Sequence, residues 1–436
     1  MYDIIIGRDE DDKKRFGSKG VILLGKQYVQ MGQTTSLSNP VYLDVIRSHV
    51  FFICGKRGSG KSYTMGVIAE GISDLPDEVK QNISVVMLDT MGVYWTMKYP
   101  NKKDEILLKQ YGMKSKALDV KIYTPVGFHK KFLKEGIPTD AAFSIKPNEL
   151  DANDWCLTFG VKRTEPIGVL IEKVINKLKS EKPEYSIEDI VKSVQNDDRS
   201  EQAVKDAVEN RFLNTETWGL FDAQGTTLRE LAVGGQVTIL DVSCYATAAN
   251  GWEIKNLVIG LIAQKLFIQR MIARKDEEYK QVQSSIQFGG EEAKQEMPLV
   301  WLVVDEAHEF LPHEGKTAAT DALVTILREG RQPGISLILA TQQPGKIHTD
   351  VMTQSDIVLS HRITAKPDVE ALGLLMQSYM REGLNAQLDK LPSAKGAAII
   401  FDDTNERAYP LRIRPRLTWH GGESPIAIHS TGTNLQ

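Results

Sequence analysis

The chain has 436 residues, 42% hydrophobic and 25% charged, with a formal net charge of −4, which is ordinary globular composition with room for two or three compact units. That balance excludes a globally basic nucleic-acid binder, so any basic surface must be local, such as a pore lining or one face. Cys54, Cys156 and Cys244 are far apart beside apolar runs and read as core residues in a reducing compartment, not as a zinc site.

The first six residues are too short and lack the basic start of a secretory signal. Residues 1–45 form a short β-rich lead-in, with strand-like runs at 20–25 and 41–45. This is too little material for a separate domain with a large core.

An apolar run at 50–54 then meets G-x-x-x-x-G-K-S at 55–62, and a helical segment follows to about residue 72. Strand, glycine-rich turn and helix together make a phosphate-cradling loop. Gly55, Gly58 and Gly60 let backbone N–H groups turn inward without Cβ clashes. The helix start adds a positive dipole end. Lys56, Arg57, Ser59 and Tyr63 complete the expected nucleotide contacts. Lys61 supplies charge to the β- and γ-phosphates, and the Ser62 hydroxyl is offered to Mg²⁺. The expected ligands are therefore ATP and Mg²⁺.

A second buried strand at 83–88 ends in Asp89. At a strand's carboxyl end this is either a ligand-side carboxylate or a turn cap. Six lysines between 98 and 116 face either DNA or solvent. Residues 165–230 read as a helical insertion, opened by Glu165-Pro166 and carrying a capping-box spacing at Ser186 and Asp189.

The sheet resumes at 236–243, and a helix is predicted over 252–274. Its apolar stretch at 257–263 stops at Gln264 and Lys265 and reads as a buried helix, too short to span a bilayer. Residues 276–298 are expected to form an exposed mobile loop. A cytoplasmic protein without a membrane partner is the expectation.

The run at 299–304 ends in Asp305 and Glu306. With the upstream loop, this predicts Asp305 on the Mg²⁺ shell and Glu306 orienting and deprotonating a water. Arg328 and Arg331 share one side of a helix end. Each is either an arginine finger or a salt-bridge partner. Another buried run at 336–341 ends in Gln342, whose amide can bond both γ-phosphate and water. Runs at 356–360 and 397–401 complete the strands. The fold expected is α/β, a RecA-like P-loop NTPase core with a mostly parallel sheet. The core is divided as 46–164 and 231–420, and 421–436 reads as a flexible tail.

These motifs together resemble the HerA/FtsK branch of P-loop ATPases, HerA-like proteins most closely, over residues 40–421. The resemblance rests on Gly-Lys-Arg-Gly-Ser-Gly-Lys-Ser, Val-Asp-Glu-Ala-His-Glu-Phe, Arg-Glu-Gly-Arg before Gly, Ala-Thr-Gln-Gln-Pro and Arg-Pro-Arg-Leu, in that order. It implies a homo-oligomer, a hexameric ring translocating double-stranded DNA. It also implies a partner nuclease such as NurA, in DNA end processing or antiviral defence. The alternative is a nucleotide-gated ring that scaffolds a nuclease.

By the resemblance, Arg331 is a finger supplied to a neighbouring subunit and Arg47 a second basic group near the phosphates. The stretch 412–416 is similar to an arm bracing a neighbour. The family's Asp-x-x-Gly-Glu-Tyr appears here as Asp89-Thr90-Met91-Gly92-Val93-Tyr94, without the Glu. Its N-terminal β-barrel is abbreviated.

Overall fold

The computed structural model describes residues 2–31, 34–286, 297–363, 365–375, 388 and 391–422. Its strands are β1 (Ile4–Ile6), β2 (Val21–Met31), β3 (Thr34–Asp44), β4 (Val50–Cys54), β5 (Ile83–Asp89), β6 (Val120–Pro125) and β7 (Ala141–Phe143). They continue as β8 (Val237–Asp241), β9 (Leu299–Val304), β10 (Ile335–Thr341), β11 (Ile357–His361), β12 (Ala397–Asp402) and β13 (Arg407–Ile413). All belong to one sheet, in the order β1-β3-β2-β13-β12-β11-β4-β10-β9-β5-β8-β6-β7.

From β11 through β7 every neighbouring pair is parallel. β12, β13, β2 and β3 extend the sheet as an antiparallel flank. The lead-in strands are thus built into the main sheet. The parallel strands are apolar throughout because both faces are covered. Alternation along β4 shows this: Phe52 and Cys54 join one core cluster, and Phe51 and Ile53 join the other.

The helix Lys61–Ser73 contributes Met65, Val67 and Ile68 to the second cluster. The first cluster is covered by the helices Pro166–Glu181, Ile187–Gln195 and Gln202–Thr215, with a long helix, Gly251–Ile286. Ser186 and Asp189 cap each other's backbone at the start of their helix. Gly260 lets the long helix approach its neighbour, since a Cβ there would lie 2.3 Å from the Ala318 carbonyl oxygen.

The long helix corrects one expectation. It spans 36 residues, so 276–286 is helical, and 287–296 lies outside the described residues. By length and mean hydropathy its part Gly251–Gln283 could cross a membrane. However, 56% of its most apolar window is buried inside the protein, as a core helix would be. Most of the tail, 423–436, also lies outside the described residues.

A second correction concerns the basic stretch at 412–416. Arg414 and Arg416 are fully buried against this chain's own phosphate-loop helix. Both guanidiniums donate to Glu70, at 3.0 and 3.1 Å. The same carboxylate accepts from the Leu417 and Thr418 backbone N–H groups and the Thr418 hydroxyl. Gly66 makes room, because a Cβ there would sit 2.6 Å from the Arg416 guanidinium carbon. Positive residues at this place brace the chain internally.

Candidate nucleotide site

The site forms at the carboxyl ends of β4, β10 and β9. β10 lies between the other two, so its tip delivers Gln342 between the phosphate loop and the acidic pair. Gly58 and Gly60 have φ of 73° and 118°, backbone that side chains other than glycine rarely adopt. The loop rests on His361 at the end of β11. A Cβ on Gly55 would lie 2.7 Å from the His361 Cβ, and one on Gly60 would lie 3.3 Å from its Cε1.

Lys61 Nζ donates to the Gly55 carbonyl at 3.0 Å. Burial lowers its pKa from the usual lysine value, while Asp305 and Glu306 oppose that shift. Ser62 Oγ donates to Asp305 Oδ2 at 2.8 Å, which unites the loop with the tip of β9. Glu306 is one of two non-glycine residues with positive φ among those described, at 49°. This twist swings its side chain back over the site. Its Oε1 accepts from Gln342 Nε2 at 3.2 Å.

Glu306 Oε2 is buried without a hydrogen-bond partner. Burial, then the neighbouring Asp305 charge, raises the Glu306 pKa. A carboxylate with one oxygen fixed and the other bare is suited to take a proton from a bound water. The His308 ring stands 3.6 Å from that bare oxygen and bonds Thr341 Oγ1 at 3.0 Å.

These residues fit a magnesium nucleotide. A cradle of inward glycine backbone, a buried ammonium, a hydroxyl–carboxylate pair and an orphaned carboxylate oxygen converge on one edge. Ser62 and Asp305 could hold the ion, with Lys61 and the loop N–H groups on the phosphates.

Arg47 does not join them, which corrects its expected place near the phosphates within this chain. It stands before β4, roughly 16 Å of strand from the loop. There it forms a two-pronged pair with Asp12, at 2.7 and 2.8 Å. Arg331 lies at the same amino-terminal edge. Both line a cleft of about 550 Å³ with Arg270, Arg274, Asp12 and Glu277. Arg328 is tied to Asp350 at 2.6 Å. The Arg331 guanidinium has no ion-pair or hydrogen-bond partner among the described residues.

Asp89 resolves toward its turn-capping reading. Its oxygens accept from the N–H groups of Met91, Gly92 and Tyr94. Burial and the adjacent Asp241 raise its pKa. Of the six lysines, Lys98 and Lys116 pair with Asp140 and Asp74, and Lys103 lies over the Trp419 ring.

Three contributors are given no role in the sequence reading. His361 is fully buried, bonds Thr64 Oγ1 at 2.9 Å, and is held down to about 4 by burial, so it is neutral at pH 7. Its signal was a polar residue ending an apolar run, as at Asp89 and Asp305. Tyr94 is buried against Met65, and Thr64 carries no motif of its own.

A family model described as the central domain of helicase HerA matches residues 29–262. The match includes the phosphate loop and stops short of Asp305. A probable DNA double-strand break repair helicase HerA from Methanocaldococcus jannaschii is 23% identical over 362 residues, covering 75% of this chain and 65% of that protein. The DNA double-strand break repair helicase HerA of Pyrococcus furiosus is 28% identical over 107 residues, 24% of this chain and 19% of the relative. The chain therefore spans less than two thirds of the length of either relative. VirB4 of Thermoanaerobacter pseudethanolicus shares the fold, with a TM-score of 0.55 at 14% identity, covering 91% of this chain and 96% of that one.

Proposed function

The chain belongs to the family of the helicase HerA central domain and is a P-loop ATPase; from that premise we propose that it couples ATP hydrolysis to movement along double-stranded DNA, as a hexameric ring. The observation that carries the reading is the Glu306 carboxylate, one oxygen held by Gln342 and the other buried and bare beside the Ser62–Asp305 pair.

In this reading the loop N–H groups and Lys61 bind the phosphates, and the Lys61 ammonium turns from the Gly55 carbonyl toward them. Glu306 Oε2 takes the proton of the attacking water while Gln342 fixes the carboxylate. Ser62 and Asp305 would hold Mg²⁺, which would supply charge neutralisation to the phosphates.

What supports a ring is the position of Arg331 and Arg47. They share a cleft at the sheet edge opposite the phosphate loop. Such cations can reach a triphosphate only in a neighbouring copy, and head-to-tail contacts of that kind form a ring when their rotation closes. The two relatives named for double-strand break repair support DNA ends as the substrate; a nuclease acting on those ends is the partner this reading calls for. An antiviral role is a second setting for the same motor.

The test is ATPase activity of the purified chain with and without duplex DNA, alongside the particle mass with a non-hydrolysable ATP analogue. Stimulation by duplex and a ring-sized mass are expected. Hydrolysis indifferent to DNA of every length would sink the motor reading.

A further inference from the structure

The segment after β13 crosses the outer side of the phosphate-loop helix and ends beside the site. Glu70 anchors Arg414, Arg416, Leu417 and Thr418, as described. Beyond them, the strap is pinned along residues 96–101. Asn101 N donates to the Leu417 carbonyl at 3.0 Å, and Trp419 N donates to the Tyr99 carbonyl at 2.7 Å. Thr96 Oγ1 donates to the Trp419 carbonyl at 3.0 Å. A fully buried carboxylate with two arginines costs desolvation that well-packed apolar residues would avoid. What such a cluster supplies is a single register.

That register sets His420 against Tyr63. Their rings meet edge to face, with centroids 5.3 Å apart at 78°. The Tyr63 hydroxyl accepts from Arg416 N at 2.6 Å, and Arg416 Nη1 lies 3.2 Å from His420 Nδ1. Both rings are only partly buried. Tyr63 directly follows Ser62 on the first turn of the helix. Phosphates bound at that helix start leave the rest of the nucleotide to run past this turn, outward from the sheet. Gly421 packs on the loop beyond β5, where a Cβ would lie 2.8 Å from Thr96 Cγ2.

We propose that His420, held against Tyr63 by the Glu70-anchored strap, forms the nucleobase end of the nucleotide site and stacks on the base of the bound nucleoside triphosphate. This rests on the nucleotide reading above. It adds a binding residue from a segment more than 350 residues away from the phosphate loop. The strap thereby makes affinity for a nucleotide exceed affinity for its bare phosphate chain.

The test compares ATP with inorganic tripolyphosphate, which has the phosphates and no base, by titration calorimetry on the full chain. His420→Ala is expected to weaken ATP binding about tenfold, roughly one base–aromatic stack, and to leave the tripolyphosphate Kd unchanged. His420→Phe, which keeps a flat ring, is expected to restore most of the ATP affinity. Equal weakening for both ligands, or no change for ATP, overturns the inference and leaves the phosphate site standing. If the native chain binds neither ligand, the nucleotide reading fails and the inference with it. Thermal unfolding of both variants identifies any loss that comes from misfolding.

Discussion

Gln342 Nε2 donates to Glu306 Oε1 across 3.2 Å, from the tip of one strand to the tip of its neighbour. The amide spends a donor on the carboxylate and thereby aims the other oxygen into the site. Glu306→Gln removes the proton acceptor and keeps the shape. Hydrolysis is expected to fall about 10²- to 10⁴-fold while ATP affinity stays near native. A phosphate-release assay paired with calorimetry separates the two. Full activity in this variant would remove Glu306 from the chemistry.

Arg331 carries the expectation of action between subunits. Arg331→Ala is expected to lower turnover by about 10³-fold or more, the usual worth of an arginine finger. Mixing it with Lys61→Ala protein gives a sharper reading. Each variant alone should be inactive, and the mixture should regain part of the rate. Interfaces that pair an intact loop with an intact Arg331 form only in mixed rings. A mixture as inactive as its components would argue against the shared site.

His49 lies buried between Asp356, at 2.6 Å, and Asp44, at 3.3 Å. Burial alone would lower its pKa, but the two carboxylates outweigh it and raise the value to about 9. The folded state thus holds a proton that the unfolded chain releases near 6.5. The stabilisation is complete below pH 6.5 and is lost as pH climbs through 9. A decline of about 3 kcal/mol over that window is expected. Urea unfolding at pH 6 and pH 9 measures it, and His49→Gln should flatten the difference.

Glu70 neutralises two buried guanidiniums. Glu70→Ala strands both charges, and a loss of about 3–5 kcal/mol is expected. The denaturation midpoint reports it. Replacing Glu70 and both arginines together with apolar residues should be far milder, since the cost lies in the unpaired charge.

His361 supports the underside of the phosphate loop through Thr64. Its pKa near 4 means that the unfolded chain takes up the proton first as pH falls from 6.5. Stability is therefore expected to decline between pH 6.5 and 4. His361→Phe should remove that component and also weaken tripolyphosphate binding by shifting Gly55 and Gly60.

Much of the site was legible because its chemistry is local. Glycine spacing in 55–60 dictates a turn, and a strand that ends in Asp305-Glu306 announces itself by the jump from apolar to acidic. The rest depends on pairing between distant strands. Chain order already puts Arg47 at the amino end of β4, away from the loop, but nothing near it announces Asp12 as its partner. By resemblance Arg414 and Arg416 read as part of an arm bracing a neighbour, and their burial had no local signal because buried arginines are rare. The counter-signal was a lone acid, Glu70, in an otherwise apolar helix. The stretch 276–286 read as loop for want of apolar periodicity, although no glycine or proline interrupts it before Gly289. The order that slots β10 between β4 and β9 has no sequence signature of its own.

The Glu70 clasp also sets a timetable for biosynthesis. Its partners are 344–348 residues downstream, and β4 is flanked on one side by β11. A growing polypeptide carries a finished phosphate-loop sequence long before its clasp exists. The clasp itself cannot close until residue 418 has cleared the ribosome exit. Loop closure over such a distance is slow, and in the interval the Glu70 face of that helix lies uncovered. Nascent chains that stall before that point leave Glu70 without its two cations and Tyr63 without the ring set against it.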